Sequence, residues 1–224
     1  MQNKNISSYV IKRLPRYYRF LGNLSAAGIK RISSGDLARR MGLTASQIRQ
    51  DFNCFGGFGQ QGYGYNTDIL REEIGNILGI NTPKRLIVVG MGNLGKAVTQ
   101  HFNFKDKGFN VIGLFDAKES LVGTIVRNVP IRSTKQLDEF CKENKPEAAV
   151  ICLPTEAVPP IAEHLIRLGV KGFLNFSHYD LALNFDGIVV ENIHLGDNLM
   201  KLSYKINNFR VFLDFPCKKR YTNS

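Results

Sequence analysis

The sequence predicts an α/β chain in two parts, a basic helical head followed by a doubly wound parallel sheet. Three observations predict it. Positive charge is concentrated in the first fifty residues, two capped helix patterns meet at a Gly-Leu turn, and a glycine-rich turn follows a β-branched run and opens a helix. The texture changes at Gly79-Ile80-Asn81-Thr82-Pro83-Lys84, which sets the expected domains at 1–80 and 81–192, then a last helix at 193–208 and a basic tail at 209–224.

Composition narrows the class. Hydrophobic residues make up 43% and charged residues 22%, ordinary for a globular chain. No apolar run approaches the ~18 residues of a membrane span. The start, MQNKNISSYVIKRL, shows no apolar core with a small-residue cleavage site, so no secretory signal is expected. Cys54, Cys141, Cys152 and Cys217 form no C-x-x-C pair, which argues against a metal site or a disulfide framework and fits a reducing cytoplasm. The net charge is +11, and residues 1–50 hold ten cations against Asp36 alone. Such a field attracts polyanions: nucleic acid first, with membrane surfaces and acidic partners also compatible.

Taken in order, Val10, Ile11, Leu14, Tyr17, Tyr18, Leu21 and Leu24 recur at helical spacing, predicting a helix over 7–28 that Pro15 should kink or restart. A second helix fits Ser34–Met41, with Ser33 or Ser34 as N-cap and Gly42 as a left-handed C-terminal cap. Thr44 opens a third over 44–52, and Gln47 three residues on completes a capping box. Helix, short turn and capped helix is helix-turn-helix grammar. Leu37, Ile48 and Phe52 should face the core, leaving Ser46, Gln47, Arg49 and Gln50 outward, with side chains suited to base edges and phosphates. Aromatics alternating with glycines over 56–66 read as a β-hairpin, the wing of a winged-helix domain. A helix over 67–79 should bury Ile69, Leu70, Ile74, Ile77 and Leu78.

The second domain opens on the strand run Leu86-Ile87-Val88-Val89, then Gly90-Met91-Gly92-Asn93-Leu94-Gly95, a G-x-G-x-x-G that starts a helix. The next strand ends in Asp116, 21 residues after Gly95. With strand before, helix after and acid at this distance, the pattern is a Rossmann dinucleotide fingerprint. Gly90 makes the turn, Gly92 admits the pyrophosphate, Gly95 lets helix and strand pack, and Asp116 accepts from ribose hydroxyls. No Arg directly follows Asp116, which favours NAD(H) over NADP(H), with Lys118 leaving the alternative open. Further strands fit 130–131, 148–152, 172–174 and 187–190, and helices 133–143, 155–168 and 193–207. Ligands sit outside strand C-terminal ends, so Pro154, Thr155, Asn175 and Phe176 should border the nicotinamide. About 120 residues suffice for the sheet and its helices, leaving no separate substrate domain. His101, His164, His178 and His194 lie in different segments and form no proton relay. Dinucleotide binding without catalytic groups, beside a DNA-reading head, points to sensing.

These residues resemble the Rex family of redox-sensing repressors over about 7–208. The matches are Ile32-Ser33-Ser34, Thr44-Ala45-Ser46-Gln47-Ile48-Arg49-Gln50-Asp51, Phe55-Gly56, Phe58-Gly59 and Gly62-Tyr63-Gly64-Tyr65-Asn66. They continue with Val89 to Gly95, Phe115-Asp116, Gly172-Phe173-Leu174-Asn175-Phe176 and Val190-Glu191-Asn192. The resemblance implies a homodimer with a domain-swapped C-terminal helix. It implies binding of NADH and NAD⁺, and of an inverted-repeat double-stranded DNA operator that NADH releases. The candidate DNA contacts are Arg13, Arg16, Ser33, Ser34, Thr44, Ser46, Gln47, Arg49, Gln50, Gln60, Gln61 and Tyr63. No membrane and no metal are expected as partners. Two departures stand out. Gln60-Gln61 occupy a wing tip that is basic in many relatives, and His194-Leu195 follow Asn192-Ile193 where many relatives carry Asp. A compact NAD-dependent oxidoreductase, or a DNA binder that has lost its redox response, are the alternative functions.

Overall fold

In the N-terminal part, Ser7 caps helix α1 (Ser8–Ala26) by accepting the Tyr9 N–H. Val10, Leu14, Tyr17, Leu21 and Leu24 form one buried stripe along it, at spacings of four and three. The computed structural model describes residues 6–56 and 63–209. Of the kink or new helix expected at Pro15, the new helix does not occur: α1 runs on through Pro15. Pro15 is on the exposed face, so the Ile11 carbonyl that loses its donor is left toward water, and the buried stripe offsets the ~3 kcal/mol a mid-helix proline costs.

Strand β1 (Arg31–Ile32) leads into α2 (Ser34–Met41), capped by Ser33, whose Oγ accepts the Asp36 N–H at 3.0 Å. Gly42 closes α2 at φ 66°. Thr44 Oγ1 accepts the Gln47 N–H at 3.1 Å and starts α3 (Ala45–Asn53). Half of the expected capping box is present; the Gln47 side chain turns away to Asp51. Strand β2 (Tyr65–Asn66) pairs antiparallel with β1, Arg31 opposite Asn66. The wing tip, including Gln60 and Gln61, lies outside the described residues; the part seen belongs to a ladder with β1. Gly64 is required there: at φ 67°, a Cβ would stand 2.7 Å from the Ile32 carbonyl oxygen.

Asn66 caps α4 (Thr67–Leu78), and Gly79 ends it at φ 67°. Leu70 and Ile74 are buried, but Ile69, expected inside, is exposed because it lies off the 70/74 stripe. These elements enclose one core in which Tyr17 and Phe52 meet edge-on at 5.1 Å.

The C-terminal part is a seven-stranded sheet. Its strands are β3 (Lys84–Val89), β4 (Phe109–Asp116), β5 (Ile125–Val126), β6 (Val129–Ser133), β7 (Ala148–Ile151), β8 (Gly172–Asn175) and β9 (Val189–Asn192). The spatial order is β5-β6-β4-β3-β7-β8-β9, parallel except where β5 runs against β6. Alternation along β3 sends Ile87 and Val89 to one buried cluster, and Leu86 and Val88 to the other. Helices α5 (Asn93–His101), α6 (Leu137–Asn144) and α7 (Val158–Arg167) are connecting helices of this sheet. The β5–β6 hairpin was not legible in the sequence. Its two-residue turn is Arg127-Asn128, both at positive φ (46° and 64°), a geometry usually marked by glycine. A short helix α8 (Leu181–Asn184) precedes β9. The last helix, α9 (Leu195–Asn207), buries no residue. Leu195, Leu199, Leu202 and Ile206 form a stripe along it, each more than half exposed. No helix among the described residues is long and apolar enough to cross a membrane.

Candidate dinucleotide crevice and nucleic-acid interface

Strand order reverses direction at β3, which has β4 on one side and β7 on the other. In open sheets of this order, the loops leaving the C-terminal strand ends at such a point diverge and form the ligand crevice. The glycines of the β3–α5 turn divide into two kinds. Gly90 (φ 94°) and Gly95 are structural: a Cβ on Gly90 would lie 2.5 Å from the Cys152 carbonyl oxygen, and one on Gly95 1.9 Å from the Gly90 carbonyl oxygen. Gly92 is different. Its φ of −66° suits any residue, and a Cβ there would meet nothing within 4 Å. Nothing in the fold requires glycine at this position, but an approaching phosphate does. Gly92 also gives α5 no side-chain cap, so its first-turn amides have no side-chain acceptor and the positive end of the helix suits an anion. These features fit a dinucleotide pyrophosphate.

Asp116, at the end of β4, accepts the Met91 N–H at 2.6 Å and the Lys118 N–H at 2.8 Å. It thus braces the glycine turn, and a ribose hydroxyl would use the remaining lone pairs of the same carboxylate. Met91 contributes backbone only, because its side chain is fully buried in the core. Asn93 and Leu94 are exposed at the helix start, and Pro154 and Thr155 follow β7. Asn175 corrects the expectation that it faces a ligand. It is fully buried, donates to the Tyr179 carbonyl (2.8 Å) and Asn192 Oδ1 (2.9 Å), and accepts from the Ser177 N–H and hydroxyl. Its side chain organises the β8 loop and ties it to β9. Phe176 packs half-buried against the core. Burial pushes the thiol of Cys152, the residue after β7, up to about 12.

The histidines are not all separate. His178, after β8, and His194, before α9, meet with ring centroids 5.6 Å apart and planes tilted by 32°. His194 Nδ1 lies 3.7 Å from Asp197, and its Nε2 is buried without a hydrogen-bond partner.

At the helical pair, the decisive residue is one to which the sequence reading gave no role. Asp51 is 1% exposed. Arg13 donates to it through Nε (2.6 Å) and Nη2 (2.7 Å), the Tyr17 hydroxyl at 2.7 Å and Gln47 Nε2 at 2.9 Å. Burial alone would raise its pKa, but the bonds from Arg13, Tyr17 and Gln47 hold it below the usual carboxylate range. Burial and the bond to Asp51 push the Tyr17 phenol upward. Asp51 lies one helical turn after Ile48 and next to Phe52, so it is a polar residue at the buried stripe, a signal present in the sequence.

Three of the expected DNA contacts make bonds within the protein. Arg13 and Gln47 are engaged by Asp51, and Arg16 donates to the Met41 carbonyl. The outer face of α3 keeps Ser46, Arg49 and Gln50 exposed, with Thr44 exposed at its start. Arg49 donates to Ser34 Oγ at 3.1 Å, joining α3 to the first turn of α2; Ser33 is exposed beside it. Tyr63 is 71% exposed, and Arg31 donates to its carbonyl.

Residues 5–53 match the family model "Putative DNA-binding protein N-terminus", and 81–179 match "CoA binding domain". The redox-sensing transcriptional repressor Rex of Caldicellulosiruptor saccharolyticus is 47% identical over 206 residues, covering 92% of this chain and 94% of that protein. This chain belongs to the Rex family. Rex of Clostridioides difficile is 45% identical over 202 residues, 90% of this chain and 96% of that one. A solved Rex-family structure, RSP in complex with β-NAD⁺ and operator DNA, superposes with a TM-score of 0.86 at 40% identity, covering 96% of this chain and 99% of that one. RSP in complex with β-NADH matches at 0.84 and 38% identity, over 94% and 98%. The close relatives cover both parts of the chain, the fold class expected from the sequence.

Proposed function

We propose that this Rex-family chain is a transcriptional repressor that reads the NADH/NAD⁺ balance and is not a catalyst. The observation that carries the reading is the ligand-shaped turn at Gly92, uncapped and sterically open, in a chain similar nearly end to end to a repressor solved with NAD⁺ on its operator. In this reading, Gly90 to Gly95 hold the pyrophosphate, Asp116 holds a ribose, and the loops at Pro154–Thr155 and Phe176 flank the nicotinamide. Asn175 positions its loop from behind. Ser46, Arg49 and Gln50 read the operator, with Ser33, Ser34, Thr44 and Tyr63 beside them.

The apolar stripe of α9 is the proposed dimer seam, covered by a second copy in a swapped arrangement. Scattered exposed apolar residues are normal, but four at i, i+4, i+7 and i+11 on one helix mark an interface. Leu199→Asp with Leu202→Asp is expected to give a monomer by sedimentation equilibrium; a dimer of unchanged strength removes α9 from the seam.

The two nicotinamide forms differ in charge and planarity, and a sensor needs two dimer states that bind them with different free energy. Decisive switching takes ~5.5 kcal/mol, which two coupled sites share. NADH then turns the protomers so that two α3 helices no longer meet successive major grooves.

Two substitutions separate the parts. Gly92→Ala should fold normally, since the added methyl meets open space, yet weaken NADH binding at least about tenfold by blocking the pyrophosphate. The chain has no tryptophan, so nicotinamide fluorescence reports this directly. An unchanged affinity moves the phosphates elsewhere. Arg49→Ala should weaken operator binding by about 1–3 kcal/mol with most of the loss at one base position; an equal loss on all sequences makes it a phosphate contact.

A further inference from the structure

A cavity of about 320 Å³ lies in the C-terminal part, between the end of α5 and the β5–β6 hairpin. Its wall includes Phe109 and Asn110, which begin β4, and Val129, which begins β6. It therefore opens at the N-terminal ends of the strands, the opposite end of the sheet from the dinucleotide crevice. We propose that this cavity binds a small organic anion, an acidic head on a short apolar body.

Three observations support this. First, Thr99 lies in the wall, 2% exposed, and its Oγ1 is buried without a hydrogen-bond partner. A buried hydroxyl left unpaired is destabilising, and a ligand oxygen would satisfy it. Second, the charged groups at the cavity favour an acceptor. Lys105 and Arg127 bring donors only, Asn103 and Asn110 add amides that can donate or accept, and no acidic side chain among the described residues lines the site. Arg127 is held in place: it sits in the positive-φ turn of the hairpin, and its Nη1 donates to the Phe102 carbonyl at 3.2 Å, leaving other guanidinium N–H groups for a ligand. Third, Phe104 and Val126, both buried, line the site as apolar surface. The volume is at the small end for ligand sites, which suits a body of a few carbons.

Isothermal titration of the full chain with hexanoate, hexanamide and inorganic phosphate tests the assignment. Hexanoate should bind, and hexanamide, its uncharged counterpart, and phosphate, which lacks the apolar body, should each bind at least about tenfold more weakly. Arg127→Ala should lower hexanoate affinity about tenfold while leaving NADH affinity unchanged. Thr99→Val should lower hexanoate affinity and raise the Tm of the ligand-free chain, because it deletes an unpaired buried polar group. Equal binding of hexanoate and hexanamide, equal binding of hexanoate and phosphate, or hexanoate affinity indifferent to Arg127→Ala overturns the proposal. None of these outcomes depends on redox sensing, since the dinucleotide binds at the other end of the sheet and is measured separately.

Discussion

Asp51→Ala is expected to destabilise the N-terminal part by about 3–5 kcal/mol, the range for removing one partner of a buried, hydrogen-bonded ion pair. The cost arises from what is left behind. Arg13 loses both its bonds to the carboxylate, and the fully buried Tyr17 hydroxyl loses its acceptor. An exposed pair such as Lys30–Asp68 contributes little, because both ends stay in water. The pH dependence has a definite sign. Asp51 is held below the usual range in the fold, so the unfolded chain binds its proton more readily. Its stabilisation is complete above the unfolded carboxyl value of about 4 and is lost as pH falls through the lower, folded value. Urea unfolding from pH 7 to pH 3 should therefore show a steeper loss for the parent than for Asp51→Ala. Parallel curves, or a penalty under about 1 kcal/mol, would mean that α1 and α3 are joined by apolar packing alone. Operator affinity should fall in the same variant, because α3 loses its tie to α1.

Gly95→Ala should be the most damaging change in the C-terminal part. Alanine is favoured over glycine in a helix by about 1 kcal/mol. Here the methyl would stand 1.9 Å from the Gly90 carbonyl oxygen, a backbone atom that moves only if α5 leaves its seat on β3. The clash outweighs the propensity gain, and a net loss of about 3 kcal/mol is expected, with loss of NADH protection against heat. Its contrast with Gly92→Ala is informative. One methyl lands on the protein, the other where the ligand belongs. Equal stability losses in the two variants, measured by denaturant midpoint, would contradict this division of the motif.

Much of the fold was legible because local signals agreed with one another. Ser33, Gly42 and Thr44 bound α2 and α3 as their chemistry dictates, and the alternation along β3 matched a strand buried on both faces. Other features needed the third dimension. Pro15 breaks a helical rule that the buried stripe overrides. The Arg127-Asn128 turn adopts positive φ without glycine, so the usual glycine mark of a hairpin was missing at β5. In the candidate sites, the motif identified residues by type but not by direction. Residue type marked Arg13 and Gln47 but gave no sign of the Asp51 that they bond, and Asn175 resembles a ligand contact until its side chain is seen turned inward. Asp51 itself carried a readable clue, an acid on the apolar face of its helix. The contact of His178 with His194 carried none, because they lie sixteen positions apart in sequence.

The most direct test is the affinity of the purified protein for a fluorescent inverted-repeat operator, titrated across NADH/NAD⁺ ratios at constant total nucleotide and fixed salt. A fall in affinity as the NADH share rises, lost in Gly92→Ala, is the predicted result. Operator affinity that stays the same under saturating NADH and saturating NAD⁺ would contradict the account.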